Sequence, residues 1–158
     1  MEEKLRTDLG NFAQVWQRVG TCDAPAAQVE ERERLAVFVA REHRRQRCYE
    51  RAAAAMRNSG SQILRRCAAA AGERLRALQL EHYLLCGDSC PVGRHEENVK
   101  KGLAGLRQLY WEEEQSRTEY LRAAAMATGS CQALYAHLAE DCFHQAKQLR
   151  ELMGKAMR

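Results

Sequence analysis

Displaced by 71 positions, the chain lies on itself: LAVFVAREHRRQRCYERAAA (residues 35–54) falls on LRQLYWEEEQSRTEYLRAAA (residues 106–125). Leu35 meets Leu106, Glu42 meets Glu113 and Tyr49 meets Tyr120, while Arg51-Ala52-Ala53-Ala54 meets Arg122-Ala123-Ala124-Ala125. Alanine and arginine are common here, so the shared glutamate and tyrosine carry more weight, together with turns at Ser59 and Ser130 that keep the same offset. A fixed offset of this kind marks one supersecondary unit used twice. The apolar residues recur at three- and four-residue steps, so the unit is a pair of helices.

Composition agrees. Only two prolines occur, Pro25 and Pro91, among abundant alanine, leucine, arginine, glutamate and glutamine, which favours long helices over sheets. The expected architecture is all-α: one four-helix bundle over residues 28–158, its two hairpins covering about 28–87 and 97–158. Within it, helices are predicted over about 28–57, 62–85, 97–127 and 131–155. The Asn58-Ser59-Gly60-Ser61 stretch should close the first helix and cap the second, and Gly87 should stop the second. Ahead of the bundle, Leu5, Leu9, Phe12, Trp16 and Val19 keep helical spacing. They predict a short amphipathic helix which, with its linker, makes residues 1–27 a segment packed on the bundle.

The seven cysteines (Cys22, Cys48, Cys67, Cys86, Cys90, Cys131 and Cys142) are odd in number and contain no Cys-x-x-Cys pair, as expected of reduced thiols in a cytoplasmic protein. The charged start MEEKLRTDLG lacks the apolar run of a signal peptide, and no apolar stretch is long enough to span a bilayer. The net charge of +4 concentrates in Arg34, Arg41, Arg44, Arg45, Arg47 and Arg51, which alternate with Glu30, Glu31, Glu33 and Glu50. This reads as a solvated face and not as a nucleic-acid surface, since it has neither interleaved aromatics nor a groove-reading motif. No Ser-His-Asp order, phosphate-binding glycine loop or dinucleotide fingerprint is present. The expected partner is a second copy of the chain in a homodimer.

Heptad-like stepping assigns core-facing positions to each helix. They are Leu35, Val39, Glu42, Gln46, Tyr49, Ala53 and Met56 on the first, and Leu64, Cys67, Ala71, Arg74, Leu78, Glu81 and Leu85 on the second. The third contributes Leu103, Leu106, Tyr110, Glu113, Arg117, Tyr120 and Ala124, and the fourth Tyr135, Leu138, Cys142, Gln145, Leu149 and Leu152. Glu42 and Glu113 thus fall mid-seam at equivalent levels. A carboxylate in a bundle interior must be paired, protonated or bound to metal. A phase error of one residue would instead put both at the core margin.

The pattern Leu35, Phe38, Glu42, Tyr49 on the first helix resembles ferritin-like, rubrerythrin-type diiron proteins, as does Leu78-Gln79-Leu80-Glu81-His82-Tyr83-Leu84-Leu85-Cys86-Gly87 at the end of the second. The resemblance covers about residues 30–155. It implies that each repeat supplies a glutamate from its first helix and a Glu-x-x-His pair from its second, holding two metal ions. Glu42 and Glu113 match the first kind of ligand. The paired positions fall on Ala71 and Arg74 and on Cys142 and Gln145, which lack the pattern. The resemblance also implies a long crossover between the second and third helices. A connector from Asp88 to about Glu97 could span roughly 30 Å at about 3.3 Å per residue; an up-down-up-down bundle is the alternative.

Arg74 is a fixed cation and Gln145 a poor stand-in for imidazole, so no cofactor is expected and Arg74, with Arg117, should neutralise the glutamates in a buried network that includes Tyr49 and Tyr120. The competing reading is a metal-dependent oxidoreductase or iron-handling protein, of the rubrerythrin-like peroxidase type, binding iron, manganese or zinc through atypical ligands. Asp141 and His144 have the Glu-x-x-His spacing one residue out of register and could join Glu113 and Cys142. His82, Cys86, Cys90 and His95 form a second group with metal-ligand chemistry. Cys142 reads as a buried, inert thiol.

Overall fold

A computed structural model describes residues 26–94 and 98–158. The helix expected over residues 3–19, Cys22 and His95 lie outside the described residues. The chain divides into two units, Met1–Glu30 and Glu31–Arg158; the site and packing below belong to the second. Among the described residues there are four helices and no strand: α1 (Ala26–Ala55), α2 (Ser59–Cys86), α3 (Gly102–Met126) and α4 (Gly129–Ala156). None is long and apolar enough to cross a membrane.

Local chemistry sets the breaks. Asn58 is extended, and its side chain accepts a hydrogen bond from the Gly60 N–H at 2.9 Å while Ser61 Oγ donates to the Ala53 carbonyl at 2.8 Å. Asn58 therefore works as an N-cap of α2 and not as a left-handed stop for α1. Gly87 does take the left-handed conformation (φ 75°), donating its N–H to the Tyr83 carbonyl at 2.8 Å, the glycine-closed helix end. The third helix begins at Gly102, about five residues later than expected. Residues 98–101 are not helical, Lys101 is extended, and Gly102 turns the chain at φ 65°.

Interhelix bonds establish the topology. Glu42 and Tyr49 of α1 meet Tyr120 and Glu113 of α3 in reverse order, so α1 and α3 are antiparallel. Cys67 of α2 reaches Gln148 of α4 while Glu81 reaches Ser130, so α2 and α4 are antiparallel too. Each hairpin is antiparallel within itself, so α2 and α3 run the same way and the connector after Gly87 must cross from one end of the bundle to the other. Its residues mark the path: Cys90 and Val92 pack against one apolar cluster, and Val99 against the other. The up-down-up-down alternative is excluded.

Burial repeats at the offset seen in the sequence. On α2 and α4, Leu64, Cys67, Ala68, Ala71, Arg74, Leu75 and Leu78 are buried, and so are Tyr135, Leu138, Ala139, Cys142, Gln145, Ala146 and Leu149, each 71 positions on. On α1 and α3 the same holds for Leu35, Phe38, Glu42, Arg45 and Tyr49 against Leu106, Leu109, Glu113, Ser116 and Tyr120. The core consists of two apolar clusters, one around Phe38, Leu78, Tyr120, Tyr135 and Leu138, the other around Tyr49, Leu64, Leu106, Leu109 and Leu149. The offset exchanges them: Tyr120 and Leu138 of one stand for Tyr49 and Cys67 of the other. Glu42 and Glu113, bonded to Tyr120 of one cluster and Tyr49 of the other, mark the level between them.

Candidate functional site: a buried ion network

At that level all four helices turn polar side chains inward. Glu42 (α1) and Glu113 (α3) are both fully buried at 0 % exposure, and Arg74 of α2 at 1 %. Arg74 bridges the carboxylates: Nε donates to Glu42 Oε2 and Nη2 to Glu113 Oε1, each at 3.0 Å. The tyrosines close the arrangement reciprocally. Tyr49 Oη donates to Glu113 Oε1 and Tyr120 Oη to Glu42 Oε1, both at 2.7 Å. Thus the tyrosine of each repeat serves the glutamate of the other.

A second cation completes the charge balance. Arg45, also buried, lies with Nη1 3.2 Å from Glu113 Oε2. Sequence spacing assigns Arg45 to a solvated face and gives this role to Arg117. Arg117 instead lies half-buried on the far flank of α3, its guanidinium 4.8 Å from the centroid of the Phe143 ring. The error is one of phase. From Glu113 a step of three reaches Ser116 and a step of four reaches Arg117; burial takes the step of three, as it does from Glu42 to Arg45. The repeat carries the missed signal, since Arg45 and Ser116 share one position 71 apart. The same slip explains why Leu109 and Ala123 are buried in place of the expected Tyr110 and Ala124, and why Leu103 is exposed.

Two carboxylates and two guanidiniums sum to zero, the condition under which buried charges are tolerated. Burial penalises the Glu113 carboxylate, but Arg45, Arg74 and hydrogen bonds from Tyr49 and Cys142 outweigh it and hold its pKa below the usual range. Burial likewise opposes charge on Arg45 and Arg74, and the facing glutamates more than offset it, so both keep their protons more firmly than usual. Burial and the adjacent carboxylates push the Tyr49 and Tyr120 phenols well up. Both therefore remain donors. Arg41 covers the outer side of this layer, with its guanidinium 4.6 Å from the Phe38 ring, 4.7 Å from the Tyr120 ring and paired to Glu119.

The remaining candidate ligands are distributed as follows. Ala71 and Cys142 are fully buried beside the network, and Gln145 is nearly so at 9 %. The Cys142 thiol is driven up by burial and by Glu113 and Glu42, despite Arg74, so it stays protonated and unreactive. Asp141 is on the outer face, its carboxylate 3.7 Å from His137, and His144 is exposed. One residue of register turns a side chain about 100° around the helix, and that rotation takes both away from Glu113. They are not brought together with Cys142 at the centre. At the far end of α2, His82, Cys86 and Asp88 converge, with Asp88 in a place the sequence reading does not assign to a ligand.

No protein-family model, curated protein or solved structure matches the chain. Of the four positions in the second and fourth helices, Ala71 has no donor, Arg74 is a cation that already occupies both carboxylates, Cys142 is a protonated thiol and Gln145 a neutral amide. Among the buried atoms without a hydrogen bond are Arg74 Nη1 and Gln145 Oε1. A buried guanidinium bonded to both carboxylates repels a metal cation there, so the residues present do not fit a dinuclear metal centre.

Proposed function

We propose that the chain is a ferritin-like, rubrerythrin-related bundle with duplicated helical hairpins in which an arginine–glutamate–tyrosine network has replaced the metals, leaving a structural or interaction role without diiron chemistry. One observation carries the reading: the Arg74 guanidinium bonds Glu42 and Glu113 at once, between the carboxylates where metal ions would have to lie. The crossover between α2 and α3 and the 71-residue periodicity of burial support the ancestry. An interaction role draws support from apolar side chains turned outward, Leu80, Tyr83 and Leu84 on α2 and Trp111 on α3, which supply surface for a second copy of the chain.

Ancestry can be tested by reversal. If the positions correspond as proposed, Ala71→Glu, Arg74→His, Cys142→Glu and Gln145→His together rebuild both Glu-x-x-His pairs. The quadruple variant should then take up two ferrous or cobaltous ions per chain that the unaltered protein does not bind at this centre, as read by anaerobic titration with visible spectroscopy. A variant that keeps its helical circular dichroism yet binds no more metal than the parent would rule the correspondence out.

A further inference from the structure

We infer that the C-terminal end of α2 is a separate binding site for a zinc-type divalent ion, formed by His82, Cys86 and Asp88, with the fourth position left to water. His82 and Cys86 are one helical turn apart and so share a face. The left-handed turn at Gly87 then folds the chain back and brings Asp88 beside them. The ligand atoms of the three residues all lie within 4.8 Å of one another. Around a tetrahedral zinc, with bonds of about 2.0–2.3 Å, neighbouring ligands are separated by roughly 3.3–3.8 Å. Small side-chain rotations close the difference.

The surroundings favour a cation held by these groups. His82 is buried at 3 % exposure, its Nδ1 3.2 Å from the Asp88 carbonyl oxygen and 4.0 Å from Asp88 Oδ1. The other carboxylate oxygen, Oδ2, is 3.3 Å from Arg32 Nη2, which leaves one oxygen turned toward the imidazole. The closing carbonyls of a helix favour positive charge at this end. Cys90, two residues beyond Asp88, is buried in the apolar cluster around Phe38 and Leu78 and stands outside the ligand group. One thiolate, a carboxylate and a neutral imidazole around a divalent ion leave no net charge. Mixed sulfur and nitrogen donors select zinc over magnesium or calcium, and because a thiol binds metal as its thiolate, binding at Cys86 should be pH-dependent.

The site is independent of the network at the glutamates, and the test keeps the two apart. Full-length protein stripped with chelator and titrated with cobalt(II) alone should bind one ion at this end, with a thiolate-to-cobalt charge-transfer band in the near ultraviolet that zinc(II) abolishes. His82→Ala and Cys86→Ser should each weaken binding at least tenfold, whereas Asp141→Asn and His144→Ala, on the outer face of α4, should leave the band unchanged. In the unmutated protein, zinc should protect Cys86 from alkylation, a readout that survives if a variant fails to fold. Absence of the charge-transfer band, a band indifferent to both His82→Ala and Cys86→Ser, or no protection by zinc would each overturn the site.

Discussion

Arg74→Ala is expected to destabilise the protein by about 3–5 kcal/mol, because it strands two buried carboxylates that share one guanidinium. For a chain of this size, that corresponds to a fall in Tm on the order of 10 °C. Most of the loss should come from the charges left behind rather than from the bonds removed. Combining Arg74→Met with Glu42→Gln, which leaves Arg45 facing Glu113, should therefore recover much of it, since neutral packed residues often substitute for a buried ion pair at little cost. Urea unfolding followed by circular dichroism checks both statements. A cost below about 1 kcal/mol for Arg74→Ala, the size of a surface pair, would contradict a buried bridge.

The second large effect is expected at Glu113, which serves Arg74, Arg45 and Tyr49 together. Glu113→Gln keeps an acceptor for Tyr49 but leaves two guanidiniums facing one carboxylate. A loss of about 3 kcal/mol or more follows at neutral pH. The pH dependence supplies a signature. The folded-state pKa of Glu113 is depressed by Arg45 and Arg74 against the effect of burial, relative to about 4.3 in an unfolded chain. Its stabilisation is thus fully present above the unfolded value and is lost as pH falls through the folded one. The unaltered protein should lose stability steeply below about pH 4. Glu113→Gln should be less stable at pH 7 and fall less steeply in acid. Equal slopes for the two proteins would show that Glu113 carries no linkage.

How much of this is legible in the sequence depends on which physical signal each feature leaves. The four helices, the Gly87 stop and the mid-seam level of Glu42 and Glu113 all follow from periodicity and turn chemistry. Arg74 is legible because it interrupts an otherwise apolar stripe shared with Leu64, Cys67, Ala71 and Leu78. Arg45 is not, because it is embedded in a run of arginines whose composition resembles a solvated face, and only its 71-residue equivalence with Ser116 distinguishes it. The start of α3 escapes because the residues just before Gly102 carry no proline and differ from helix only in backbone conformation. Connector length leaves the topology open, and it is decided by which residues meet: Glu42 with Tyr120, and Tyr49 with Glu113. Asp88 joins His82 and Cys86 only through the turn at Gly87, a juxtaposition that linear spacing does not express.

The central claim is that Glu42 and Glu113 are neutralised by arginine and hold no metal. Metal content by mass spectrometry, after growth with iron, manganese and zinc, tests it most directly when the unaltered protein is compared with Glu42→Gln and Glu113→Gln. The same metal content in all three proteins is predicted, any zinc at the end of α2 included. Near-stoichiometric metal in the unaltered protein that disappears in either variant would contradict it.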